Sequence, residues 1–289
     1  LATLPQRALA GINAALTWLF DAAFVLLGAL PPLAGLLLVS LVTSAVMLLV
    51  VARTSNQPRM AATKRAMHAG LFEIRLFNDD LVAILRALGE VLKQNGRYLL
   101  LSLVPLLWMI VPLVLVIAQL QAFYGYAGLE VGQPVLVKAE RRPGAGGAVT
   151  GRGGSGAGPA LEAPPEIRVE TAAVQLVGSN EVLWRIVPTA PGAFTLTLRD
   201  GARTATKAVL VSDVVARRSP LRVSPGLVDQ LLYPSEPLLD DESPVTSIIV
   251  AYPEPGIDVL GVAVHWMILF FVVSMAGAFV LAKRFGVTL

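Results

Sequence analysis

Residues 98–129 contain no charged side chain, yet they hold two prolines, Pro105 and Pro112. A helix needs about 20 apolar residues to cross the hydrocarbon core of a bilayer, so this run is long enough. Proline lacks an N–H and is tolerated in a span where neighbours re-satisfy the freed carbonyl. The two prolines are seven apart and fall nearly on one helix face. Such a segment sorts its flanks to opposite sides of a membrane.

The composition agrees with a membrane protein. Charged residues make up 15% of the chain, against about a quarter in a soluble domain. Two more apolar runs, 33–52 and 259–282, are also of spanning length. Cysteine is absent, which excludes disulfides, thiolate metal sites and cysteine nucleophiles. With only His68 and His265, an all-protein zinc site is not expected. No nucleophile–base pair or carboxylate pair at membrane depth is visible, so neither an enzyme nor a cofactor is expected.

The first residue is Leu1 rather than Met, as in a chain that begins after processing or after an unordered start. A signal peptide fits poorly, since its basic start and small-residue cleavage site are not evident. Residues 1–32 read as an N-terminal amphipathic helix. Gln6, Asn13, Thr17 and Asp21 share one side, and Leu9, Ile12, Leu16, Leu19, Phe20 and Phe24 take the other. That pattern suits a helix lying in the membrane interface. A true span with a buried Asp21 is the alternative. Gly28, Pro31 and Pro32 break the helix.

Residues 33–52 form the first span, in which Ser40, Thr43 and Ser44 either bond back to their own helix or line a wet groove. Residues 53–97 carry eight Lys/Arg and four acids, which places this short loop in the cytoplasm by the positive-inside rule. It reads as two antiparallel amphipathic helices. One bears Met60, Met67, Leu71 and Ile74. The other is capped by Asn78 and bears Leu81, Ile84, Leu85, Leu88, Val91 and Leu92. The basic hairpin favours anionic lipid headgroups or ribosomal RNA, by charge alone. No DNA-binding motif is present. Asn95 and Gly96 mark a turn into the second span, residues 98–126.

This order of elements, with Gln57, Pro58 and Met60 after the first span, Asn95 before the second, and Pro105 and Pro112 inside it, resembles the YidC/Oxa/Alb membrane-protein insertases. The resemblance covers about residues 33–125, with the last span as the third core helix. It implies a polar, half-open groove through which part of a client crosses while its apolar helix slides into lipid. Ser40, Thr43, Ser44, Ser102 and Gln119 are the candidate groove-lining residues. Bacterial members carry a groove arginine in the first core span, whereas residues 34–52 here hold none.

Residues 127–256 read as an exported β domain, periplasmic in a bacterial inner-membrane protein. Residues 143–165 are Gly-rich and read as a loop with no phosphate-cradling motif. Strands are expected at 133–140, 167–177, 182–187, 193–199, 204–211 and 247–252, with a short helix at 226–232. Trp184, Ile186, Phe194, Leu196 and Leu198 form one inward face. The expected fold is an immunoglobulin-like β-sandwich without cysteines. The acidic run 240–242 reads as a solvated turn. Residues 257–289 hold the third span, stopped by Lys283 and Arg284 on the cytoplasmic side. His265 near its outer end reads as an interfacial residue beside Trp266, a contact to the β domain, or a proton-relay residue.

The expected fold class is thus a three-span α-helical membrane protein with an interfacial helix, a helical hairpin and an inserted β-sandwich. Two functions are carried forward. One is insertase-like handling of membrane-protein clients within the lipid bilayer. The other is an accessory subunit that binds a fixed membrane-complex partner through the β domain.

Overall fold

A computed structural model describes residues 4–28, 30–76, 80–142, 159–176 and 179–287. The helices are α1 (Leu4–Leu27), α2 (Pro32–Thr54), α3 (Gln57–Leu76), α4 (Leu81–Tyr124), α5 (Leu227–Leu232) and α6 (Trp266–Ala282). Three of them yield segments long and apolar enough to cross a membrane: Pro32–Thr54, Ile84–Tyr124 and Trp266–Phe285. Gly11–Leu27 of α1 is apolar but shorter than a span. Two compact units emerge, one of residues 1–35 with 115–266, the other of 36–114 with 267–289.

The second unit is helical. Asn56 Oδ1 caps α3 by accepting the Arg59 N–H at 3.2 Å. Asp80 Oδ1 caps α4 by accepting the Val82 N–H at 2.9 Å. Asn78 lies outside the described residues. The expected turn at Asn95 and Gly96 does not form: α4 runs unbroken for 44 residues, about 66 Å at 1.5 Å each. Both residues carry a helix-propensity cost, up to about 1 kcal/mol for glycine. Helix on both sides outweighs it, and nothing stands near Gly96 to require a bend.

The hairpin seam is narrower than the apolar stripes suggested. On α3 it follows Met60, Thr63, Met67, Gly70 and Ile74. On α4 it follows Ile84, Ala87, Val91, Gln94 and Tyr98. Both repeat as three and four, the spacing of a coiled-coil seam. Leu71, Leu81, Leu85, Leu88 and Leu92, assigned to the stripes from sequence, are exposed instead. Gly70 sets the approach, because a Cβ there would stand 2.5 Å from Val91 Cγ2. Gly70→Leu is expected to pry the hairpin open. Cysteines placed at Thr63 and Gln94 and spin-labelled should then show a longer distance than in the parent chain, with helix content unchanged.

The other unit contains the β strands. Strands β1 (Val135–Arg141), β3 (Ile167–Val169), β4 (Val174–Gln175), β5 (Glu181–Pro188), β8 (Leu221–Val223) and β9 (Val245–Val250) form one antiparallel sheet in the order β3-β5-β1-β9-β8, with β4 also on β5. Strands β2 (Ala160–Glu162), β6 (Gly192–Asp200) and β7 (Arg203–Val211) form a second. Their inner faces share one core, in which Val137, Trp184, Ile186, Leu196, Leu198 and Val209 are almost fully buried. Two sheets enclosing one core make a sandwich. Gly201, at φ +63°, takes the first central position of the β6–β7 turn, where glycine is favoured.

Three expectations need correction here. The strand at 167–177 is split into β3 and β4, because the Thr171 hydroxyl rather than a ladder carbonyl accepts the Arg185 N–H at 2.9 Å. The Gly-rich loop ends before β2, which pairs with β6 and carries a Glu162–Arg199 ion pair at 2.9 Å. The last span-length helix begins at Trp266, since residues 257–264 fold as the hairpin β10 (Ile257–Val259) and β11 (Val262–Val264). Alternating apolar residues there imitate the start of a span.

At the tip of that hairpin Leu260 has φ +56°, and it is fully exposed. A branched side chain in the left-handed region costs about 1–2 kcal/mol. Leu260→Gly is therefore expected to stabilise this unit by about 1 kcal/mol, as a rise in its denaturant midpoint in detergent.

Candidate functional site: polar residues of the span-length helices

On α2, Ser40, Thr43 and Ser44 lie on one buried face. Ser40 Oγ donates to the Leu36 carbonyl at 2.7 Å and Ser44 Oγ to the Leu41 carbonyl at 3.0 Å. Such back-bonding satisfies a hydroxyl in an apolar setting without a partner helix. Ser44 is 2% exposed. It meets α6 at Gly277, where an added Cβ would stand 2.7 Å from Ser44 Oγ. Small residues let helices approach closely in this way. One turn on, Leu48 and Ala282 continue the contact, with Val51, Ala278 and Leu281 around them.

The remaining candidates sit elsewhere. Ser102 Oγ bonds back to the Tyr98 carbonyl at 2.9 Å and is half-buried. It shares the inner face of α4 with Pro105, Met109 and Pro112. The rest of that turn sequence, including Leu103, Val104, Leu106, Leu107 and Trp108, is exposed. Gln119 belongs to the other unit, where its Nε2 donates to Thr17 Oγ1 of α1 at 3.3 Å. Ser40, Thr43, Ser44 and Ser102 thus belong to one unit and Gln119 to the other.

The motif residues after α2 have a packing role. Ser55 Oγ donates to Met60 Sδ at 3.0 Å and accepts from Gln57 Nε2 at 3.0 Å. Pro58 sits in the first turn of α3, where its missing N–H is no loss. Asn95 is an exposed helical residue.

Known families, curated proteins and solved structures give no match to this chain. The reading of function therefore rests on residues and geometry.

Sequence reasoning missed Arg217 and Arg218. Arg217 Nε donates to Asp21 Oδ1 of α1 at 2.7 Å, and its guanidinium lies 4.8 Å from the Phe123 ring centre. Phe123 stacks on Phe24 of α1 at 3.8 Å. The polar stripe of α1 thus faces protein: Asn13 is buried, Thr17 holds Gln119, and Asp21 holds Arg217. Trp18, Leu19, Val25 and Leu26 are exposed on the remaining surface. A partner almost two hundred residues away gives no local signal; the adjacent arginine pair was the only clue. Arg218 donates from Nη1 to the Tyr126 carbonyl at 3.0 Å, and from Nη2 to the carbonyls of Ser212 at 3.0 Å and Val214 at 2.6 Å.

Among the described residues no cluster of metal-ligating side chains occurs. Residues 240–242 are exposed, with the Ser243 N–H closing a turn onto the Asp240 carbonyl at 2.9 Å. The His265 and Trp266 rings lie 5.9 Å apart.

Proposed function

We propose that this is an insertase-like membrane protein that assists other membrane proteins into the bilayer, resembling the YidC/Oxa/Alb plan. The observation that carries the reading is α4. It rises unbroken from a basic hairpin into a span that exposes most of its circumference and puts Ser102, Pro105 and Pro112 on one face. Each proline deprives the carbonyl four residues earlier, at Leu101 and Trp108, of its helical N–H. Such carbonyls are polar points at membrane depth, where an unmet polar group costs most. A client helix passing α4 can borrow them. In this reading the hairpin is cytoplasmic, the β-sandwich periplasmic and α1 seated by its apolar side in the interface.

A second reading is favoured by the contact of Ser44 with Gly277, which fills the polar face of α2 with protein. In that reading the helices anchor a subunit whose β-sandwich holds a fixed partner.

Photocrosslinking in cells separates the two. The probe belongs at Ser102, with exposed Leu106 as a lipid-facing control; Ser44 is too enclosed to accept one. Many different newly made membrane proteins captured at Ser102 are expected. One stoichiometric partner there, or lipid alone, would overturn the insertase reading.

A further inference from the structure

A cavity of about 490 Å³ opens where α4 ends and α2 begins. Its walls include residues 31–33, Phe123, Tyr124, Asp213, Arg218 and Asp258, all of one compact unit. A second space of about 260 Å³ shares residues 31–32, Tyr124 and Asp213 with it. Volumes of this order hold small ligands. The apolar wall comes from the ends of two span-length helices, so the cavity stands at the level where hydrocarbon meets headgroups.

Its polar groups are of both signs. Arg218 is 3% exposed, with both terminal nitrogens bonded to carbonyls and a buried Nε–H that has no protein acceptor. A buried donor without an acceptor costs free energy that a ligand oxygen can relieve. Asp213 and Asp258 are exposed at the same cavity. Asp258 spends Oδ1 on the Gly261 N–H at 2.7 Å and keeps its other oxygen. One guanidinium and two carboxylates leave the site net negative, so a purely anionic ligand is disfavoured. A ligand with a phosphate beside a primary ammonium, and an apolar tail, matches each group in turn.

We propose that this cavity binds the phosphoethanolamine headgroup of a membrane phospholipid. The phosphate accepts from Arg218 Nε, the ammonium lies toward Asp213 and Asp258, and the glycerol end rests on residues 31–33 and Phe123. The headgroup then ties the ends of α2 and α4 to the loop that carries Arg218. The inference rests on α2 and α4 crossing a bilayer, but not on the insertase reading.

The test uses the full chain in nanodiscs of equal phosphatidylethanolamine and phosphatidylglycerol, with retained lipids counted by native mass spectrometry. Phosphatidylethanolamine is expected at about fivefold or more over its bulk share. Asp213→Asn with Asp258→Asn should return the ratio to bulk, and Val215→Trp, which fills the cavity, should do the same. Amide exchange in β5–β7 should be unchanged in both, which keeps misfolding apart from lost recognition. Bulk-like lipid in the parent chain, or an undiminished preference in both variants, would overturn the proposal. Soluble glycerophosphoethanolamine is the second arm, in detergent. If it binds while no lipid is enriched, the lipid assignment fails and a free solute is the ligand. If neither binds, the cavity has no such specificity, whatever photocrosslinking shows for α4.

Discussion

Lys207→Met is expected to unfold the β-sandwich edge, at a cost of about 3–5 kcal/mol. Lys207 occupies an inward position of β7, level with Ala205 and Val209, and is 1% exposed. Its Nζ donates to the Ser219 carbonyl at 2.6 Å, to Ser219 Oγ at 3.0 Å, and to Glu236. Glu236 also accepts the Ala208 N–H at 2.7 Å and the Ser219 hydroxyl at 2.5 Å. The network pins residues 219 and 236 to the second sheet. Methionine fills the volume but leaves a shielded carboxylate without its cation. Adding Glu236→Gln removes that charge and keeps an acceptor for Ala208, so the double variant should regain more than half of the loss. Amide exchange in β6 and β7 of the full chain reads both. Equal losses in the single and double variants would show that the ion pair is not what holds this edge.

The same group carries a pH signature. Burial pushes the Lys207 ammonium below its ordinary value, and Glu236 opposes that fall. The folded chain therefore releases this proton earlier than the unfolded chain does. Between the lowered value and the ordinary 10.5, the unfolded state binds more protons and stability rises with pH. Lys207→Met should lose that rise.

Local pattern made much of this architecture readable. The inward residues of β6 alternate along the strand and those of β5 alternate as far as Ile186, and a glycine turn joins β6 to β7, so these strands and their core face were legible. Strands β2 and β8 have three residues each and exist through their neighbours, leaving no period to detect. Lys207 sits on the expected alternation of β7, but its burial depends on Glu236, which no strand pattern contains. The α3–α4 hairpin was legible as a pair of helices and misread as to its seam, since Thr63 and Gly70 look like poor seam residues until Val91 fills the space over Gly70. On α2, Ser40 and Ser44 stand out in the sequence as polar residues in an apolar run. Whether a hydroxyl serves a groove or its own helix depends on geometry that the residue type does not encode.

Gly128→Ala is the second change with a large expected effect, and its cause is space rather than backbone angle. A Cβ on Gly128 would overlap the carbonyl oxygen of Ser212, stand 2.6 Å from its carbon, and come within 3.1 Å of Arg218 Nη2. The obstacle is main chain, which cannot rotate aside as a long side chain can. Here the chain leaving α4 passes directly against the connection that follows β7, and Arg218 joins the two through the carbonyls of Tyr126 and Ser212. The Ala127 N–H, donating to the Pro253 carbonyl at 2.8 Å, fixes the preceding residue as well. Separating the two strands of chain breaks those bonds together, so a loss of about 4 kcal/mol or more is expected, beyond ordinary overpacking. Gly96→Ala is the matched control: nothing stands near it inside α4, and alanine there should stabilise the helix by about 1 kcal/mol. Opposite shifts of the two variants in detergent unfolding are the expected result. A Gly128→Ala chain as stable as the parent would mean that the end of α4 is not clasped to the β-sandwich by Arg218, and the cavity beside it would lose its rigid wall.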